Sequence, residues 1–537
     1  MFGLTSKQRT ALYAVGNGFL AMLVAVLGAH ADAPTGQVIY LVLMLAVCTA
    51  PILLMESLNG TYVLLGLFLA LYFVFFAALE LLSLFGGETG SLDGGFMSAT
   101  EAGLVLGAVC AFVGYLLGAK LGTPRDSAAP PKDWTRGMIL WVGLALWLSG
   151  AAAILYLQVW VVPVKTNEAT NRGMAAIGQA MQFLIMIGQL AEPLGILILS
   201  YAYARFRSLP WFVLIVAVVV IQVVIGFICD MKSLGMLGGI LVILAKVFMD
   251  NKLPKGWLLA GVVFIVVVFP LFQLYRAEVT GERGMTRTQA FENIDKVLDI
   301  VLARSQEDSD GSSKQRTATF LERSALKGNV ELAVEHTGVD TPFQEGRTMV
   351  ALWTAFIPRL IWPDKPDVAV GQEFNHTFIH GEFDTFISPS NLGELYWNYG
   401  WSGVVFGMLI IGALLGFVGA KCNMARSKSL ARLLILLATA KYACLGFEGS
   451  IAIAYVQWMR SIAAIGILHL IFARRRTEAM ASAEVTAPGS AAAPALATPS
   501  GLAAAPAIAN AAPASAGGQL SFPGGAAHVP RFPNLMS

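Results

Sequence analysis

Apolar runs of about 18–25 residues recur along most of this chain, and that repetition constrains its fold more than any single residue does. Each run is long enough to cross a hydrocarbon core of roughly 30 Å as a helix. In lipid every backbone N–H and C=O must find its partner within the protein, which these runs can do only as helices. Composition agrees. Hydrophobic residues make up 56% of the chain, charged residues 13%, and mean hydropathy is +0.67. A water-soluble domain of 537 residues needs more charged surface than that.

The sequence therefore predicts an all-α polytopic membrane protein with about twelve spans. They fall at about 11–29, 36–55, 61–85, 101–121, 138–162, 178–203, 209–229, 233–249, 257–275, 402–420, 429–447 and 450–473. Lys and Arg cluster on every second connection, at Lys7 and Arg9, Lys120 to Arg136, Arg205 and Arg207, Lys252 and Lys255, Lys421 to Arg432, and Arg474 to Arg476. The short connections between them hold only Lys165, Arg172 and Lys232. The positive-inside rule then puts both termini in the cytoplasm. It leaves one large polar segment, 276–401, outside, between nine helices (1–275) and three (402–473). The Ala/Pro-rich stretch 474–537 cannot bury a core and reads as a disordered cytoplasmic tail, although FPGGAAHVPRFPNL near its end has the look of a docking peptide. Ala29-His30-Ala31 resembles a signal-peptidase site, but the preceding run is long for a signal core and reads as a retained first helix. Five scattered cysteines with no CxxC pair exclude a disulfide framework and structural zinc. A net charge of +2 gives no reason to expect a nucleic-acid partner; the lipid bilayer is the partner that composition demands.

The large segment has internal order. Thr286–Arg304 carries apolar residues at a helical period, 305–315 is a polar linker, and Ala318–His336 is a second amphipathic helix candidate. The stretch 349–363, MVALWTAFIPRLIWP, is too short to cross and is interrupted by Pro358, Arg359 and Pro363. It reads as an interfacial or re-entrant segment. From 363 to 400 the chain is irregular and rich in Pro, Gly, Asn, His and aromatics, a composition that often carries function over a helical scaffold.

Three groups of residues could carry chemistry. The first is basic and extracytoplasmic: Arg276, Arg283, Arg287, Arg323, Lys327, Arg347, Arg359 and Lys365, with Arg172 on a small outer connection. Guanidinium forks bind phosphate oxygens in pairs, and Arg172, Arg276 and Arg359 each fall at a predicted membrane boundary. The plain alternative is solvated side chains snorkelling to lipid headgroups. The second group is intramembrane. Gln182, Gln189 and Glu192 fall within an arc of roughly 80° on one helix, with Gln179 beside them. Arg460 and Lys441 lie in the last two spans. Polar groups at depth face a cavity or a partner, and a Glu192–Arg460 pair is the plain reading. The third group, Glu373, His376, His380, Glu382, Asp384 and Glu394, could supply a general base. His376 and His380 have no HExxH frame and no third ligand, so no metal site is expected. The chain has no GxxxxGK[ST] motif and no GxSxG. The first outer connection, His30–Thr35, is too short for the acidic pair of mannosyltransferase-like lipid-linked glycosyltransferases.

One segment resembles a known family. It runs PRLIWPDKPDVAVGQEF from Pro358, then SPSNLGELYWNYGWSGVVFGMLIIGALLGFVG to Gly419. Pro358, Arg359, Trp362, Pro363, Lys365 and Pro366, then Ser390, Gly393, Glu394, Tyr396, Asn398 and Gly400 leading into a Gly-rich span, resemble the Wzy-type polymerases of O-antigen and exopolysaccharide repeat units. Asn171-Arg172-Gly173, Arg276 and the late extracytoplasmic segment are similar to that family too. The resemblance covers about 60 residues closely, and the Ala/Pro tail departs from it. It implies a GT-C-like polymerase in the bacterial inner membrane. Such an enzyme transfers a glycan from undecaprenyl pyrophosphate to a lipid-linked oligosaccharide repeat unit at the outer face. The lipid pyrophosphate is itself the activated donor, so no cofactor, ATP or metal is implied. In that reading Arg359, with His376 or Glu394 as base, carries catalysis. Arg172, Arg276, Lys365, Arg460, Trp362 and Tyr396 bind substrate, and Phe374 and Trp397 offer further faces for sugars. A chain-length regulator and a flippase are the protein partners such a system brings. A glycan ligase shares the donor and is the second reading. A transporter or flippase is the third, disfavoured because the one large insertion is extracytoplasmic and follows span nine. An inert scaffold is the fourth.

Overall fold

The computed structural model describes residues 5–86, 97–123, 132–161, 179–229, 231–263, 289, 292, 299, 326–354, 357, 362, 369–380 and 386–475. The longer helices are α1 (Ser6–His30), α2 (Thr35–Thr49), α3 (Val63–Phe76), α4 (Ala78–Gly86), α5 (Ala99–Gly122), α6 (Arg136–Tyr156), α7 (Gln179–Phe206), α8 (Leu209–Ile228) and α9 (Lys232–Asp250). They are followed by α10 (Lys327–His336), α11 (Ser390–Lys421), α12 (Leu430–Thr439) and α13 (Ile451–Phe472). Thr5 and Ser98 start α1 and α5 with reciprocal caps, in which Gln8 and Glu101 return a side-chain bond to the cap backbone.

Eight helices among the described residues are long and apolar enough to cross a membrane, or nine if α3 and α4, bent by 52°, form one broken span. The expected count of twelve is not reached among the described residues. The expected spans at 178–203 and 233–249 correspond to α7 and α9, which are not among the eight, and α7 carries Gln189 and Glu192 in its interior. The span expected at 257–275 runs beyond the described residues. The one expected at 402–420 begins earlier, since helix α11 starts at Ser390. The tail from 476 onward also lies outside them, as does most of the expected helix Thr286–Arg304.

Glycine decides the closest helix pair. A Cβ on Gly114 or Gly118 of α5 would sit 2.2 Å from Leu409 O or 1.9 Å from Ala413 O of α11. A Cβ on Gly412 or Gly416 of α11 would sit 2.1 Å from Ala111 O or Tyr115 O of α5. The two helices meet backbone to backbone through small residues four apart. Dispersion contacts and packing take that form where lipid supplies no hydrophobic drive. α6 meets α7 the same way, with Gly150 against Glu192 and Gly195 against Trp147.

Contacts between connections sort the helix ends into two sets. In one set Leu58 N donates to Asn251 Oδ1 at 2.6 Å, Ala425 N to Asn59 O at 3.1 Å, and Asn423 Nδ2 to Thr61 Oγ1 at 3.0 Å. Lys132–Asp133 pairs antiparallel with Arg474–Arg475. In the other, Leu326 N donates to Phe75 O at 2.9 Å and Asn391 Nδ2 to Gly449 O at 2.7 Å. Of the Lys and Arg clusters read from the sequence, Lys132, Arg474 and Arg475 lie in the first set, and Lys252 beside it.

Candidate functional site

The resemblance segment organises the second set of helix ends. Residues Ser390–Asn398 are not the irregular loop that their composition suggests but a buried first part of α11. Helical geometry stops at Tyr399 and Gly400, and Gly400 has φ +61°, a conformation that glycine adopts without steric cost. The kink strips the Trp397 and Asn398 carbonyls of their helical donors. Gln344 N and Glu345 N replace them at 3.0 and 3.2 Å.

Glu394 sits fully buried at the centre of this junction. Its Oε1 accepts from Thr348 Oγ1 at 2.8 Å, and its Oε2 from the backbone N–H of Ile451, the first residue of α13, also at 2.8 Å. Asn398 Nδ2 donates to Thr348 Oγ1 at 2.8 Å and to Glu394 O at 2.7 Å, while its Oδ1 accepts from Gly346 N at 2.9 Å. A carboxylate on the N-terminus of a helix gains from unpaired N–H groups and from the helix dipole. One side chain thus joins three parts of the chain.

The aromatics divide by exposure. Phe374 and Trp397 pack with Val370, Ala333 and Phe378 in a small core, with Trp397 edge-on to both phenylalanines at 5.8 and 5.2 Å. Their faces are covered, which corrects the expectation that they present surfaces to sugars. Tyr396 is nearly buried and lies edge-on to Trp401 at 4.7 Å. Trp362 is 39% exposed and Trp353, which no sequence pattern singled out, 81%.

His376 is exposed on a π-helical turn, Asn375–Ile379. Arg347 is engaged by Glu373 and by Gln344 Oε1, at 2.8 Å from Nε. His336 Nδ1 lies 2.8 Å from Asp340 Oδ2, and this hydrogen bond holds the Asp340 carboxyl below the usual carboxylate range. Lys327, expected as one of several solvated or phosphate-facing cations, is instead buried between Glu80 and Glu101, 2.8 Å from Glu101 Oε1, with its Nζ 5.0 Å over the Tyr40 ring. Burial pushes its ammonium down, but the Glu80 charge and hydrogen bonds to both carboxylates outweigh that and raise it above the ordinary lysine value. Burial pushes Glu331, on the same helix, up. The break between α3 and α4 holds neither Gly nor Pro. Its Phe75 and Phe76 carbonyls are satisfied by Leu326 N and by Tyr40 Oη, at 2.9 and 2.8 Å.

Deeper in the bundle, Gln457 Nε2 of α13 donates to Gln189 Oε1 of α7 at 3.2 Å. Glu192, 2% exposed, lies one turn further along α7 and feels the charge of Lys441. Arg460 follows Gln457 by three residues and is half-buried. The side chains of Gln179 and Gln182 lie outside the described ones, as do Arg172, Arg276, Arg359 and Lys365. So the structure brings together Glu394, Asn398 and Thr348 at the helix ends, and pairs Gln189 of α7 with Gln457 of α13. Among the described residues no cluster of three or more His, Cys, Asp or Glu side chains could hold a metal. No family model, no curated protein and no solved structure matches the chain.

Proposed function

We propose that the protein polymerises undecaprenyl-pyrophosphate-linked oligosaccharide repeat units into O-antigen or exopolysaccharide, by glycosyl transfer at the periplasmic face of a bacterial inner membrane. One relationship supports this reading. Glu394 and Asn398, both in the segment that resembles repeat-unit polymerases, tie residues 344–348 to the first residue of α13. The same helix carries Gln457 and Arg460, about 9 Å and about 14 Å further along at 1.5 Å per residue. Polar groups thus run from the helix end into the membrane. A lipid-linked glycan has the matching shape, with sugars in water, pyrophosphate at the boundary and a polyprenyl tail in lipid. Arg460 and the boundary arginines Arg172, Arg276 and Arg359 would stabilise the pyrophosphate as its charge builds on departure, and an acceptor hydroxyl would attack the anomeric carbon with His376 or Glu394 as base.

The test is glycan chain length in cells lacking the gene, complemented with wild type, Arg359→Ala or Arg460→Ala at matched membrane expression. Single repeat units in the deletion, persisting with either variant, are the expected result. Full-length glycan left on the lipid carrier would identify a ligase instead. Unchanged glycan in the deletion would sink both and favour a transporter.

A further inference from the structure

We propose that residues 349–354 form an anchor lying in the membrane–water interface, with the Trp353 indole seated among the lipids of the bilayer leaflet at the α13 N-terminus. This goes beyond the proposed reaction and does not depend on it. Two independent observations carry it.

The first is level. Thr348 donates to Glu394, and Glu394 accepts from the N–H of Ile451, where α13 begins. At 22 residues, α13 is about 33 Å long, close to the thickness of a hydrocarbon core. Its first residue therefore marks the membrane boundary, and Thr348 is pinned there. The short helix that follows, Ala351–Thr354, packs against α13.

The second is sidedness. Met349 and Leu352 pack on the main core, whereas Trp353 is 81% exposed and Ile357 is also exposed. From Thr348 to Pro358 the chain holds no charged residue. An outward apolar face of this kind is unfavourable in water but is what a tryptophan belt presents to lipid headgroups. It continues the lipid-facing side of α13, where Ile453 is exposed in the first turn. These features favour lipid as the occupant. They also choose the interfacial over the re-entrant reading, because a re-entrant segment would have to turn Trp353 into protein.

The experiment is tryptophan quenching in proteoliposomes, using phospholipid brominated near the top of its acyl chains and, separately, aqueous iodide. Trp141, 71% exposed on the spanning helix α6, serves as the lipid-facing standard. The emission lost in Trp353→Phe should be quenched by brominated lipid to about the extent of the emission lost in Trp141→Phe, and be insensitive to iodide. Quenching by iodide and not by lipid would put Trp353 in water and overturn the proposal. Protection from both would put it against protein and overturn the proposal equally. Trp353 makes little core contact, so the Phe variant should fold as wild type does, checked by its unchanged melting temperature.

Discussion

Glu394 Oε2 accepts a hydrogen bond from the backbone N–H of Ile451 at 2.8 Å, across 57 residues of sequence, so that a side chain from one spanning helix caps the start of another. Its other oxygen is taken by Thr348. Both oxygens are therefore engaged in holding the junction together.

That geometry separates two roles for Glu394 by substitution. Glu394→Gln keeps an oxygen for Ile451 N and a group that can pair with the Thr348 hydroxyl, so it should leave the melting temperature near wild type, and a glycan of normal length would then leave the base to His376. Glu394→Ala strands a buried N–H and a buried hydroxyl, at about 1–3 kcal/mol each, and should cost both stability and polymer. Glycan length and thermal unfolding are measured on the same variants. A Gln variant that melts normally yet stops at single repeat units would assign the carboxylate to proton transfer.

Lys327 makes a second prediction, about stability. Lys327→Met leaves Glu80 and Glu101 buried without their cation, a change expected to cost about 3–5 kcal/mol. Adding Glu80→Met and Glu101→Gln should restore most of that loss, since removing a whole buried ionic group is close to neutral. If the triple variant melts as low as the single one, the charges are not what holds α10 to the bundle.

The same side chain fixes an alkaline limit. Its ammonium is raised in the folded protein, so the folded state binds the proton more tightly than the unfolded chain does. The contribution is fully present below the unfolded value of about 10.4 and is lost as pH rises through the higher folded value. Between about pH 7 and about pH 9 the gap in melting temperature between wild type and Lys327→Met should stay constant, narrowing only above about pH 10.4. A gap that closes below about pH 9 would contradict the raised value.

The helices were legible because length and apolarity alone identify a membrane span, and eight of the expected spans correspond to candidate spans, with a ninth at the α3–α4 break. The start of α11 was misplaced for a physical reason. Ser390–Asn398 is polar and aromatic and ends at a Gly400 kink, so it has the composition of a loop, yet it is buried, with Glu394, Asn398 and Asn391 bonded to Thr348, Ile451 N, Gly346 N and Gly449 O from elsewhere in the chain. Lys327 could not be placed because its carboxylate partners lie 247 and 226 residues away. Phe374 and Trp397 misled because sequence does not distinguish an aromatic that covers a small core from one that faces substrate. A signal that was present but unread is the Gly114, Gly118 and Gly122 spacing against Gly412 and Gly416, the small-xxx-small pattern of a close helix pair.

That helix pair should be the least tolerant of added volume. In Gly118→Val the first carbon alone falls 1.9 Å from Ala413 O, which is backbone and cannot rotate away. We expect a loss of at least about 3 kcal/mol, the upper end of ordinary overpacking. Gly16 of α1 is the control, because nothing lies within 4 Å of its added carbon. Gly16→Ala should be neutral or stabilise by up to about 1 kcal/mol. Thermal unfolding of the two variants in one detergent decides it, and equal behaviour would mean that α5 and α11 do not meet this closely.

The intramembrane charges give the last prediction. Glu192 is almost wholly buried at the α6–α7 crossing, and Lys441 on the π-helical turn Ala440–Cys444 supplies the opposing charge. Lys441→Met should destabilise, because Glu192 must then take up a proton or remain a carboxylate in a medium that solvates it poorly. Glu192→Gln added to it removes that charge, so the double variant should melt higher than the single one. The non-additivity, about 0.5–3 kcal/mol in a double-mutant cycle, measures the coupling. Strict additivity would show that Glu192 and Lys441 do not sense each other, and would favour the pairing of Glu192 with Arg460.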